Sequence, residues 1–233
     1  MCGRYVVGAL GDGAQRRFSL EEMLDLDPRY NAAPTQSLPV IVRQSPNRLA
    51  LMRWGLVPSW AKDASVGSRM INARVETVAE KPAYGRLLRR QRCLVPASGF
   101  YEWKREGGRR IPFYFHLRDD ALFAFAGLWD VWTNPEGQGE VHSYTLITCP
   151  ANAVVAPIHD RMPVMLEREA EEAWLDPEIS ESDALLPLLH PYPAGQMTGH
   201  RVGGRVNSVK NDAAELIAPV ASPSLPDAAR NSA

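Results

Sequence analysis

The chain predicts an α+β fold: one domain of mostly antiparallel strands in a barrel-like core, with a few flanking helices. Three observations carry this. Apolar runs of strand length come in pairs joined by turn-forming residues. Short helical stretches fall between the pairs. The 233 residues, 45% of them hydrophobic, suffice for one sizeable core without demanding two.

Taken in order, Ser19-Leu20-Glu21-Glu22 has the S-x-x-E form of a capping box and predicts a helix over residues 19–26, ended by Asp27-Pro28. Residues 29–34 read as a loop. Residues 37–44 and 48–54 form a hairpin turning at Ser45-Pro46-Asn47. Residues 83–91 follow Pro82 as a helix. Residues 92–103 and 111–117 flank Glu106-Gly107-Gly108, and residues 121–132 and 141–148 flank Asn134-Pro135-Glu136-Gly137, which predicts two more hairpins. A helix over 167–175 places Glu167, Glu169, Glu171 and Glu172 on a solvated face. The domain is expected to span 1–217, with the Pro- and Ser-rich residues 218–233 a disordered tail.

Three widely spaced cysteines, Cys2, Cys93 and Cys149, argue against a disulfide framework or paired zinc ligands and fit a reducing cytoplasm. No apolar stretch approaches the roughly 20 residues of a membrane span, and the short run after Arg4 does not suit a signal peptide. A soluble intracellular protein is expected. The net charge of −1 conceals an asymmetry: residues 1–120 hold 20 Lys and Arg against 12 Asp and Glu, residues 121–233 hold 6 against 15. Either the arginine-rich half meets a polyanion, or the halves neutralise each other in one folded body.

Cys2 follows the initiator methionine. Trimming of Met1 would leave one residue with a free α-amine and a thiol, whose ordinary pKa values are about 7.7–8.0 and about 8.5. Such a 1,2-aminothiol condenses with an aldehyde and closes a five-membered thiazolidine. The alternative is a small residue on a frayed terminus. In Arg53-Trp54-Gly55-Leu56-Val57-Pro58-Ser59-Trp60, Trp54 suits the core and Trp60 a surface platform on which an unpaired base could stack. Asn72 and Arg74 share one face of an extended segment and could grip a phosphate or sugar oxygen, or Arg74 could pair with Glu76. Glu102 sits in the aromatic run Phe100-Tyr101-Glu102-Trp103. It pairs with a charge, gains a raised pKa for acid–base work, or faces water between inward Tyr101 and Trp103. His159, beside Asp160 and Arg161 in a short connection, is a candidate proton carrier.

Together these segments resemble the SRAP (SOS response-associated peptidase) family, the abasic-site processing proteins of bacteria and vertebrates. The matching pieces are M-C-G-R at 1–4, Y-N-A-A-P-T at 30–35, R-W-G-L-V-P-S-W at 53–60 and I-N-A-R-V-E-T at 71–77. They continue with R-C-L-V-P-A-S-G-F-Y-E-W at 92–103, A-G-L-W-D at 126–130 and H-D-R-M-P at 159–163. Each motif is modest alone; seven in order are specific. The resemblance implies a barrel-like α+β domain with a basic groove for single-stranded DNA. It further implies covalent capture of abasic sites through a Cys2 thiazolidine, weak lyase activity and self-removal of Met1. Carried over by motif, Glu102 is the active-site carboxylate, His159 protonates the sugar ring oxygen, and Asn72 orients Cys2 and the sugar. Arg4, Arg74 and Arg161 hold phosphates, and Pro34 and Trp60 also contact DNA, Trp60 as a stack or wedge at the lesion. The chemistry requires no metal or organic cofactor. Single-stranded DNA with abasic sites is the expected partner, along with the replication machinery, for a monomer associated with the nucleoid in a bacterium. Cys93 and Cys149 receive no role.

Two rival classes use the same residues. An N-terminal-cysteine amidohydrolase would employ Cys2 against a small amide, with its own amine as base, and would need neither basic groove nor loop tryptophan. A non-catalytic nucleic-acid binder would keep the arginines and Trp60 but leave Cys2, Glu102 and His159 unexplained.

Overall fold

The computed structural model describes residues 2–44, 46–137 and 139–220. Strand β1 (Tyr5–Val7) leads into helix α1 (Asp12–Phe18), which stops where Ser19 turns left-handed at φ 51 and ψ 50. The helix expected over 19–26 is therefore absent, and its capping serine ends a helix instead of starting one. Asn47 is the reason. It takes the Phe18 carbonyl through its side-chain amide, the Ser19 carbonyl through its backbone N–H, and the Glu21 N–H through its own carbonyl. The backbone groups a helix would need are already engaged.

The loop expected at 29–34 is corrected over its first four residues, which form β2 (Arg29–Ala32) and pair antiparallel with β1. The Asp212 carboxylate also accepts the Tyr30 and Asn31 N–H groups, at 2.6 and 3.0 Å. These partners lie far along the chain, beyond local sequence pattern. The predicted hairpins form: β3 (Ser37–Val42) pairs with β4 (Arg48–Trp54). After β5 (Asn72–Arg74) and α2 (Gly85–Arg90), the run expected as one strand over 92–103 splits at Ser98 into β6 (Arg92–Ala97) and β7 (Gly99–Glu106). Gly99 permits the crossing, because a Cβ there would lie 2.3 Å from the Tyr114 ring. β7 turns through Gly107-Gly108 into β8 (Arg109–Leu117), and β9 (Phe123–Thr133) pairs with β10 (Glu140–Pro150). β11 (Arg161–Pro163) and β12 (Met165–Leu166) precede α3 (Arg168–Leu175), α4 (Ser182–Leu185) and β13 (Met197–Arg201).

Five strands close on themselves in the order β10-β4-β3-β6-β9 and back to β10, forming a barrel in which only the β4–β10 pairing is parallel. The second sheet runs β13-β8-β7-β1-β2. Phe100 and Phe115 of this sheet stack on each other, and Phe100 meets Phe125 of the barrel edge-on. Tyr5 reaches across the same core to Trp54 and shares a 2.7 Å hydroxyl hydrogen bond with Tyr144. The sheet's other face, with Val6, Tyr101 and Tyr114, is covered by Val202, Val206 and Leu216. Trp54 fills the core, as expected.

The acidic face expected on the 167–175 helix is interrupted by Glu171, which is buried and paired with Arg17 at 2.6 Å. α3 lies against β6, and the Trp174 indole donates to the Cys93 carbonyl, so the helix turns this carboxylate toward the protein. Of the expected tail, 218–220 are described and Val220 donates to the Arg201 carbonyl; residues 221–233 lie outside the described residues. No helix among the described residues is long and apolar enough to cross a membrane.

Gly55 sits at φ +124, and a Cβ there would lie 2.5 Å from the Gly67 carbonyl oxygen. This backbone contact closes the loop that carries Trp60. Gly55→Ala should lower stability by about 2 kcal/mol or more, from left-handed strain plus the clash, as a shift in denaturant midpoint. An unchanged midpoint would contradict the assigned role of this contact.

Candidate active site

β1 covers only the start of β7: the Tyr101 N–H donates to the Arg4 carbonyl, and beyond it the β7 edge runs free of β1. Side chains from both faces of β7 reach a pocket of about 420 Å3 at this edge, bounded by Gly3, Arg4, Glu102 and His159 among others. Cys2 lies beside it, fully buried, its thiol directed at the Arg4 carbonyl at 3.6 Å. Burial, reinforced by the nearby Glu102 charge, raises the thiol's pKa far above its ordinary value. The sulfur is thus a neutral thiol at physiological pH, and any attack by it needs a base.

Glu102 is 2% exposed. By strand alternation it shares a face with Phe100, while Tyr101 and Trp103 project to the other. Of the two readings open from sequence, water-facing and buried, the second holds. Desolvation lifts its carboxyl to about 7, even though the Trp103 backbone N–H supports the ionised form. Such a group gives and takes protons readily near neutrality.

β5 pairs in parallel with β10 and brings Asn72 to the terminus, where its amide donates to the Cys2 carbonyl at 2.8 Å. The Asn72 Oδ1 is buried and has no partner among the described residues, which leaves an acceptor available beside Cys2. Arg74, two residues on, is exposed. The Arg74–Glu76 pair considered from sequence does not form. Glu76 instead receives both terminal nitrogens of Arg161, at 2.6 and 3.0 Å, and this drives its pKa down.

Arg161, expected among the phosphate-holding arginines, is buried, and its fork also reaches the Thr148 carbonyl. It thereby ties the start of β11 to β10. Around His159 Nδ1 lie the Arg161 backbone N–H at 3.0 Å, which it can accept, and the Arg161 carbonyl at 3.2 Å, to which an Nδ1–H can donate. On protonation, Nδ1–H has the Asp160 carboxylate 3.0 Å away. Burial nevertheless holds the His159 pKa below its ordinary value.

Cys2, Asn72, Glu102, His159 and Arg4 thus converge, with Arg161 directly against His159, whereas Arg74, Pro34 and Trp60 lie outside the pocket lining. Arg4 donates to Asn31 Oδ1 at 2.8 Å and to the Val206 carbonyl at 2.9 Å. Pro34 is partly buried in the turn between β2 and β3. Trp60 is 67% exposed on a loop held by buried Asp130, which accepts the Ser59 N–H at 2.8 Å and pairs with Arg86. Sequence reasoning missed two organising residues. Asp130 gave a signal in its place at the end of an apolar strand; Asn31, whose amide binds the Val206, Ser208 and Asn211 carbonyls, gave none. Among the described residues no group of His, Cys, Asp and Glu could hold a metal ion.

Folding raises Glu102 from 4.5 to about 7, so between those values the native chain holds a proton that the unfolded chain has released. Stability from this group therefore falls as pH rises through that window. Glu102→Gln lacks this fall and should gain about 2–3 kcal/mol on wild type between about pH 4.5 and about pH 8, by denaturant titration. Parallel pH profiles would contradict the buried, raised carboxyl.

A family model described as SOS response associated peptidase (SRAP) matches residues 1–209. The chain is 44% identical over 222 residues to the abasic site processing protein YoqW of Bacillus subtilis, covering 93% of this chain and 99% of that one. Against the abasic site processing protein YedK of Escherichia coli, identity is 33% over 228 residues, with 94% and 100% covered. A solved structure from Bacteroides thetaiotaomicron superposes with a TM-score of 0.85 at 25% identity, covering 94% of this chain and all of the other. With this match over the domain that builds the site, the chain belongs to the SRAP family.

Proposed function

We propose that this protein captures abasic sites in single-stranded DNA, forming a thiazolidine between Cys2, once Met1 is removed, and the ring-opened deoxyribose. The observation that carries the reading is the pairing of a buried, neutral Cys2 thiol with Glu102, raised to about 7, in a pocket shared with His159. Relatives bearing the name abasic site processing protein support it.

The lesion is mostly a cyclic hemiacetal. His159 acts as the imidazolium: it gives its Nε2 proton to the ring oxygen as the sugar opens and keeps Nδ1–H toward the Asp160 carboxylate, and a pKa held below the ordinary histidine value makes that form a ready donor. The Cys2 α-amine then adds to C1′, and loss of one water leaves an imine. Glu102 accepts the Sγ–H proton as sulfur bonds to C1′, and returns it to the former imine nitrogen. Aldehyde plus aminothiol thus gives thiazolidine plus water. Asn72 fixes the Cys2 carbonyl and offers Oδ1 to the amine or a sugar hydroxyl. Ring closure consumes the imine, the species that would otherwise acidify C2′–H and allow strand cleavage by β-elimination. Weak lyase activity is then leakage from the imine, and self-removal of Met1 uses the same Cys2–Glu102 pair. Arg4 and Arg74 meet the flanking phosphates, Arg161 adds its charge from behind His159, and Trp60 and Pro34 contact bases beside the lesion.

The test mixes protein lacking Met1 with single-stranded DNA bearing one abasic site, beside an undamaged strand, on a denaturing gel without reductant. Wild type should shift only the damaged strand, Cys2→Ala should not, and Glu102→Gln should slow the shift by roughly 100-fold. No shift by wild type, with turnover of glutamine or a peptide amide instead, would overturn this reading in favour of an amidohydrolase.

A further inference from the structure

Four residues on the wall of the Cys2 pocket take no part in the chemistry above. Trp103 and Arg105 project from β7, Arg110 from β8, and Asn207 from the turn that follows β13. We propose that they form a phosphodiester subsite that holds the DNA backbone next to the reacting sugar. The assignment rests on the DNA reading above and extends it to residues outside the family-matched motif positions, apart from Trp103.

The Trp103 indole is a donor only, and its Nε1–H reaches Asn207 Oδ1 at 2.7 Å. That contact fixes which end of the amide faces the indole. The acceptor of Asn207 is used, and its exposed Nδ2 is left with hydrogens to donate and no partner among the described residues. Asn207 is itself held in place, because Arg4 and Asn31 both donate to the adjacent Val206 carbonyl, at 2.9 and 3.2 Å.

Arg105 and Arg110 are direct cross-strand partners, and neither pairs with a carboxylate among the described residues. Like charges placed opposite each other on a hairpin are destabilising. The hairpin holds them there through a tight turn with Gly107 and Gly108 at φ 55 and 74. Arg110 packs on the Trp103 ring at 5.1 Å from its centroid, and Arg4 lies at 6.0 Å from the same ring. These four side chains therefore offer guanidinium and amide donors and no anion, while Glu102 is a carboxylate of the same pocket lining. A phosphodiester is the complement: acceptors, a negative charge and no donor.

The experiment measures anisotropy of a labelled, undamaged oligothymidylate against salt. Asn207→Asp keeps the oxygen that Trp103 needs and replaces the donor with an anionic oxygen, so it should weaken binding about 10-fold or more. Arg110→Ala should weaken binding about 3- to 10-fold and shrink the log–log salt slope by about 0.7, the share of one phosphate on a single strand. Wild-type affinity and slope in both variants would overturn the subsite. Displacement of the oligonucleotide by inorganic phosphate or thymidine monophosphate at equal phosphate concentration would also overturn it, in favour of a small-anion site. The capture reading is scored separately by wild-type cross-linking to a damaged strand. Cross-linking with unaffected variants removes only the subsite; affected variants with no cross-linking remove only the capture chemistry.

Discussion

An ionisable carboxyl buried at the seam between two sheets is the constraint around which this protein is arranged. Glu102 could sit in water if β7 were an ordinary edge strand, but β7 is covered on both faces. Phe100 faces the barrel, and Tyr101 packs under the C-terminal segment. The chain must cross from barrel to second sheet at Ser98 to put Glu102 there, and β1 must start no earlier than Tyr5 to leave a pocket beside it. Desolvation then does the electrostatic work: the carboxyl rises to about 7 and the neighbouring thiol stays protonated. The supporting shell consists of hydrogen bonds whose partners lie far apart in sequence: Asn72 on the Cys2 carbonyl, Arg161 on His159 and Glu76, Asn31 on the 206–211 segment.

Part of the uneven charge of the two halves is neutralised across the fold. Arg17, Arg29 and Arg86 pair with Glu171, Asp212 and Asp130, so basic first-half residues neutralise acidic second-half residues within one body. Isolated surface pairs of this kind add little stability, whereas the buried carboxylates of Glu171 and Asp130 depend on their partners. Arg4, Arg105 and Arg110 remain around the pocket with no carboxylate salt bridge among the described residues.

Much of the barrel was legible because hairpins are local: the turns at 45–47, 107–108 and 134–137 sit between alternating strands, and the pattern is contained in about twenty residues. What misled was local evidence overruled by distant partners. Ser19 looked like a helix start, and Asn47 engaged the backbone around it; residues 29–34 looked like a loop, and β1 and Asp212 made four of them a strand. Glu171 carried the helical spacing of a solvated face and was turned inward against Arg17. In the site, Glu102 stood out as a carboxylate among aromatics, yet its burial depended on two-sided covering that alternation alone does not reveal. The switch of Glu76 from Arg74 to Arg161, and the arrival of Asn207 at Trp103, join residues 85 and 104 positions apart, and no spacing rule reaches that far.

The proposed chemistry turns on sulfur joining the captured carbon, beyond capture by the amine alone. The most direct measurement is the intact mass of the adduct formed without reductant, taken before and after borohydride treatment. A thiazolidine has no C=N bond to reduce, so the mass should equal protein lacking Met1 plus DNA minus one water and stay there. A gain of two hydrogens on treatment would identify an imine and contradict the role assigned to the Cys2 thiol and Glu102.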